Sequence, residues 1–139
     1  MGETNWSEFE LIDTFFNRHE IGLPREIITG IGDDAAVIRS DKKTLLLITN
    51  DLMIEDIHYR TSWMPPFDLA RKLVRINVSD IAAMGGQPTF GLLSIGLPSP
   101  LAENWLQAFS QGLSQELDAF GITLIGGDTS QSPGPIIAA

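Results

Sequence analysis

Cysteine is absent from this 139-residue chain, which excludes disulfides, thiolate metal sites and cysteine nucleophiles. Basic residues are scarce. Nine Lys and Arg face eighteen Asp and Glu, for a net charge of −9 and a pI near 4.4. A phosphate backbone or an anionic membrane needs a basic surface, so neither nucleic acid nor membrane is an expected partner. An acidic protein can still take a phosphorylated small molecule where metal ions invert the local charge. No apolar run approaches membrane-spanning length, and Met1-Gly2-Glu3-Thr4-Asn5 lacks the basic-then-apolar pattern of a signal peptide; a cytoplasmic protein is expected. There are two histidines, His19 and His58. His19 falls at a polar helix end with no nucleophile nearby, so a nucleophilic triad is not credible. Neither the P-loop pattern nor the dinucleotide-binding Gly-x-Gly-x-x-Gly occurs.

Hydrophobic residues make up 43% of the chain, enough for one domain, spanning 1–139, with a real core. Ser7-Glu8-Phe9-Glu10 fits a capping box, and Phe9, Leu11, Ile12, Phe15 and Phe16 give a first helix an apolar face that ends before Gly22-Leu23-Pro24. Ala35 to Arg39 and Thr44 to Asp51 read as a β-hairpin about the polar turn Ser40 to Lys43, the second strand apolar enough to be central. Phe67 to Met84 reads as a helix, with Leu69, Leu73, Ile76, Asp80 and Met84 near one stripe and Gly85-Gly86 as its stop. Thr89 to Leu97 follows as a strand, Pro98-Ser99-Pro100 as a turn, and Ala102 to Phe120 as a second amphipathic helix carrying Trp105, Leu106, Phe109, Leu113 and Leu117. Ile122 to Ile125 reads as a short buried strand, Gly126-Gly127-Asp128-Thr129 as a turn, and Ile136 to Ala139 as a strand. Ending on an apolar strand, the sequence is expected to be cut from a longer protein. This order predicts an α+β fold: a mostly antiparallel sheet with two main helices on one face, its other face free for a second copy of the domain.

The candidate chemistry lies in carboxylates at element ends. Asp33 and Asp34 follow Gly30-Ile31-Gly32, Asp51 follows Leu45-Leu46-Leu47-Ile48, Asp80 interrupts an apolar helix, and Asp128 follows Gly126-Gly127. Asp33, Asp34, Asp51 and Asp128 also read as turn residues satisfying backbone donors. Asp80 also reads as a helix carboxylate bonded to a hydroxyl or backbone donor elsewhere, with Asn77, one turn before, able to share its polar site. Together they read as a convergent set. Two unit charges ~4 Å apart repel by about 4 kcal/mol at an effective dielectric near 20, and magnesium relieves this because it prefers oxygen ligands and carries phosphates. His58, on an alternating strand beside Glu55, reads equally as a packing residue or a phosphate contact.

The ordered motifs resemble those of the thiamine-monophosphate kinase family, in its N-terminal part, within the aminoimidazole ribonucleotide synthetase-like superfamily. They are Glu8-Phe9-Glu10-Leu11-Ile12, Gly30 to Ala36, Asn50-Asp51, Glu55-Asp56-Ile57-His58, Asn77 to Gly85 and Ile125-Gly126-Gly127-Asp128-Thr129, covering nearly the whole chain in one register. The resemblance implies ATP-dependent phosphorylation of thiamine monophosphate to thiamine diphosphate by direct transfer, with Mg²⁺. By position it implies metal contacts at Asp34, Thr49, Asn50, Asp51, Asp80 and Asp128, an ATP contact at Gly127 with Asp128, and a substrate contact at His58. Asn50 stands where the family usually has threonine. The resemblance also implies a homodimer formed through this domain, and a second domain that this chain lacks, so the chain alone is expected to be nearly inactive. A superfamily relative with a different acceptor, or a non-catalytic metal-binding or dimerisation module, are the alternatives.

Overall fold

The computed structural model describes residues 24–30, 34–40, 43–98 and 103–139. The predicted first helix, with Glu8 and His19, lies outside the described residues, as do Asp33 and the middle of the hairpin turn. The chain divides into two compact units, one up to Ile48 and one from Thr49 onward.

In the first unit, β1 (Ile27–Thr29), β2 (Ala36–Arg39) and β3 (Leu45–Ile48) form an antiparallel sheet in the order β1-β2-β3. The predicted hairpin is β2–β3, paired from Ala36 with Ile48 to Arg39 with Leu45. Its central strand is β2, not the more apolar β3. Val37 is buried, whereas Leu45, Leu46 and Ile48 are about half exposed. The unpredicted β1 pairs along the other side of β2, so β2 takes the inner place that hydrophobicity alone had assigned to β3.

The second unit holds β4 (Leu52–Ile54), α1 (Pro66–Ala83), β5 (Phe90–Leu97), α2 (Glu103–Phe120), β6 (Thr123–Gln131) and β7 (Ile136–Ala138). Its four-stranded sheet runs β4-β7-β5-β6. The joins of β7 to β4 and to β5 are antiparallel, and that of β5 to β6 is parallel. An 18-residue helix between β5 and β6 explains the parallel join, because such a crossover returns the chain in the same direction. The segment after Gly121 is therefore a nine-residue edge strand exposed throughout, not a short buried strand with a turn. Gly126 to Thr129 pair within it, opposite Leu92 to Ile95.

Successive strand residues face opposite ways, so Met53, Ile137 and Ile95 form one inward row across three strands. Leu69, Ala70, Leu73 and Val74 of α1 and Phe109 and Leu113 of α2 close over that row. Pro65 and Pro66 open α1, where a missing N–H removes no helical bond. Gly85, at φ +73°, and a bond from Gly86 N to Ile81 O close it. The opposite sheet face stays apolar and uncovered, with Phe90 68% and Leu92 59% exposed beside Leu52 and Ile136.

The two helices touch at Gly112. A Cβ there would lie 2.2 Å from the Phe67 carbonyl oxygen, so only glycine permits this approach. Nearby, buried Glu116 of α2 accepts hydrogen bonds from Arg71 Nε (2.7 Å) and Arg75 Nε (2.5 Å) of α1. The Arg75 bond foremost, then that of Arg71, hold the Glu116 carboxyl below the usual range against the opposing effect of burial. A depressed folded pKa contributes stability that is present above the unfolded value, near 4.3, and is lost as pH falls through the folded one.

Gly112→Ala should lower stability by about 2 kcal/mol, since backbone atoms must move apart, read as a reduced denaturant midpoint. Glu116→Gln should cost about 2 kcal/mol at neutral pH by leaving two arginines without their carboxylate. Thermal unfolding across pH 3 to 7 should also show a shallower acid limb in this variant than in wild type.

Candidate functional site

A cavity of about 380 Å³ in the second unit is lined by Asp51, Leu52, Met53, His58, Lys72, Ile76, Ser79 and Asp80. Three elements supply it. Asp51 precedes β4 and is tied by reciprocal main-chain bonds to Ala139 (3.0 and 3.2 Å); it therefore introduces β4 rather than ending β3. Asp80 sits late on α1, where the buried face gives way to solvent, and its Oδ2 accepts from Thr49 Oγ1 at 3.3 Å. His58 belongs to the turn after β4, not to a strand. Its main-chain N–H donates to Ile54 O (2.9 Å), and its Nδ1 accepts from Ile54 N–H (3.0 Å). With Nδ1 committed as acceptor, the neutral ring carries its proton on Nε2 and offers a donor there. The turn itself is anchored by buried Tyr59, whose hydroxyl donates to Pro135 O (3.2 Å). Burial, with Glu55 beside it, pushes this phenol up to about 12.

Burial first, then the facing Asp80 carboxylate, raise the Asp51 carboxyl above its ordinary value, and His58 opposes the shift. The sign is opposite to that at Glu116. A raised folded pKa means that ionised Asp51 opposes folding at neutral pH, and the opposition fades as pH falls through that pKa. Two hard oxygen donors held together against repulsion, with the Thr49 hydroxyl beside them, suit a divalent magnesium ion that completes its shell with water and phosphate. Among the described residues, no group of three or more His, Cys, Asp or Glu side chains is placed to hold one metal ion.

Of the predicted positions, Thr49, Asp51, His58 and Asp80 therefore come together. Asn50 is exposed and is not in the cavity wall. Asp128 is exposed on β6, its Oδ2 accepting from Ser130 Oγ (3.1 Å), and is not part of the lining either. Gly127, at φ +150°, has a backbone reason to be glycine: a Cβ would lie 1.7 Å from the Leu93 carbonyl oxygen. Asp34 is exposed in the bend before β2, in the first unit. Asn77 does not share the Asp80 site; it donates to Leu73 O (3.0 Å). Lys72 and Ser79 were not predicted. Their signal was spacing, since Lys72, Ile76, Ser79 and Asp80 recur at one helical face.

Residues 32–139 match the family model for AIR synthase related protein, N-terminal domain. The chain belongs to this family. Within it, two bacterial thiamine-monophosphate kinases are close in sequence. That of Buchnera aphidicola subsp. Schizaphis graminum is 41% identical over 92% of this chain and 39% of its own length. That of Haemophilus influenzae is 41% identical over 89% and 37%. The solved structure of AaThiL complexed with AMPPCP and TMP superposes with a TM-score of 0.80 at 30% identity, over 94% of this chain and 40% of that one. The chain thus spans about 40% of the length of these thiamine-monophosphate kinases.

Asp80→Asn should remove the facing charge and return the Asp51 carboxyl towards its ordinary value. Carboxyl-detected NMR titration of Asp51 in the two proteins reads this directly, and an unchanged Asp51 titration would break the pairing.

Proposed function

We propose that this chain is the magnesium- and ATP-binding part of a thiamine-monophosphate kinase, which transfers the terminal phosphoryl group of ATP to thiamine monophosphate and yields thiamine diphosphate. The observation that carries the reading is the pairing of Asp51 with Asp80 beside Thr49 and His58 at one cavity, in a chain whose relatives bear that name. Bound magnesium supplies charge neutralisation at the phosphates, held by Asp51 and Asp80 with Thr49. Asp34, Asn50 and Asp128 as further metal positions, and Gly127 with Asp128 as an ATP contact, rest on the likeness of their motifs.

Phosphoryl transfer asks a protein chiefly for position and for compensation of charge. The acceptor here is itself a phosphate, ionised at neutral pH, so no strong general base is required. His58 fits that economy. Its Nδ1 is occupied by the Ile54 N–H, so the ring meets a phosphate oxygen as an Nε2–H donor and orients the acceptor. The uncovered face bearing Phe90, Leu92, Leu52 and Ile136 is the surface through which we expect two copies to pair as a homodimer, since exposed apolar patches of this kind mark interfaces. Among the described residues no helix is long and apolar enough to cross a membrane.

The test has two arms. Full-length protein should form thiamine diphosphate from ATP and thiamine monophosphate only when Mg²⁺ is present, while the 139-residue chain alone should turn over little. In calorimetry, Mg²⁺-dependent ATP binding should weaken by at least about tenfold in Asp51→Asn, as expected for loss of a metal ligand. Unchanged binding, with no turnover of thiamine monophosphate, would support a non-catalytic module instead.

A further inference from the structure

Carboxylates and an imidazole line most of the polar wall of the cavity, and a phosphate entering it needs a cation. Helix α1 carries three: Arg71, Lys72 and Arg75. Both arginines are bound to Glu116, and Arg71 also faces Asp68 at 3.6 Å. Lys72 is different. Its Nζ donates to a neutral acceptor, the main-chain oxygen of His58, at 2.8 Å. Among the described residues that bond holds the ammonium at the cavity wall with no carboxylate in ion-pair contact and with two of its three N–H donors without a partner. A second space of about 360 Å³, lined by Asp68, Arg71, Lys72, Arg75, Ile76 and Ser79, adjoins it along the same helix. Lys72, Ile76 and Ser79 border both.

We propose that Lys72 is the anion anchor of this cavity: its ammonium, with the His58 imidazole, grips the phosphate of a phosphorylated small-molecule acceptor. The assignment rests on the kinase reading for the identity of that acceptor, thiamine monophosphate, and on the cavity alone for the phosphate. The cavity wall carries charges of both signs, to which we assign opposite uses. Asp51 and Asp80 serve the cation-bearing side, and Lys72, tethered to the His58 carbonyl, serves the side where His58 meets the acceptor. An ammonium acts as a point charge with rotatable donors, which suits a phosphate whose oxygens shift as a new bond forms.

The experiment compares full-length wild type, Lys72→Met and Lys72→Arg in Mg²⁺ buffer. Calorimetry measures binding of thiamine monophosphate, thiamine and ATP, a turnover assay measures thiamine diphosphate, and thermal unfolding checks that each variant is folded. Wild type should bind thiamine monophosphate more tightly than thiamine. Lys72→Met should shrink that preference, weakening thiamine monophosphate about 10- to 100-fold, the worth of a charge-assisted bond, with thiamine and ATP changed less than about twofold on the same grounds. Where turnover is measured, KM for the acceptor should rise by a similar factor, and Lys72→Arg should recover most of it. Equal affinity of wild type and Lys72→Met for thiamine monophosphate overturns the proposal, as does equal weakening of acceptor and ATP, or a wild type that does not distinguish the phosphate from thiamine. A protein that makes no thiamine diphosphate but keeps a Lys72-dependent preference for the phosphate ends the kinase reading and upholds the anchor.

Discussion

Helix α1 sits on the inward row Met53–Ile137–Ile95, and everything chemical in the second unit follows from that seat. Leu69, Ala70 and Leu73 are wholly buried there, and side chains of that size contribute roughly 1.5–3 kcal/mol each when removed from water. A helix cannot turn one face to a sheet without fixing the direction of the others. With Leu69 and Leu73 inward, Lys72, Ile76, Ser79 and Asp80 stand along the flank that borders the cavity. The approach of α2 to within a missing Cβ of the Phe67 carbonyl at Gly112 sets the other side of the helix. Rotation of α1 about its axis would break both contacts, so the position of Asp80 is maintained by residues that never touch the site.

The same helix carries two electrostatic arrangements of opposite character. Glu116 is buried with two arginines on it, and its charge is favoured by the fold. Asp51 is partly desolvated opposite Asp80, and its charge is disfavoured. The first behaves as a latch between helices. The second has no stabilising role of its own, which is the usual mark of a site kept for a ligand. Lys72 falls between them: charged, held by a carbonyl, and not neutralised by either set.

The family likeness and the geometry speak to different questions. Forty-one per cent identity to bacterial thiamine-monophosphate kinases bears on which reaction is plausible. The cavity bears on which side chains could take part, and it selects Thr49, Asp51, His58 and Asp80 from a longer set of motif positions while adding Lys72 and Ser79.

Local physics made much of the chain readable in advance. Both helices, their glycine stops, the β2–β3 hairpin and the strand Phe90–Leu97 follow from periodicity and turn chemistry that act within a few residues. So did the choice of Asp51 and Asp80, because a carboxylate among apolar neighbours is conspicuous in one dimension. What the tertiary structure alone decided is pairing over distance. It set β6 parallel to β5, drew Gly126 to Thr129 into a strand, gave β1 a place beside β2, and moved His58 from a strand into a turn. It also joined Lys72 to the His58 carbonyl. The physical reason is that helix and turn preferences are carried by neighbours along the chain, whereas strand order and the company of a charge depend on backbone bonds and desolvation supplied by residues remote in sequence.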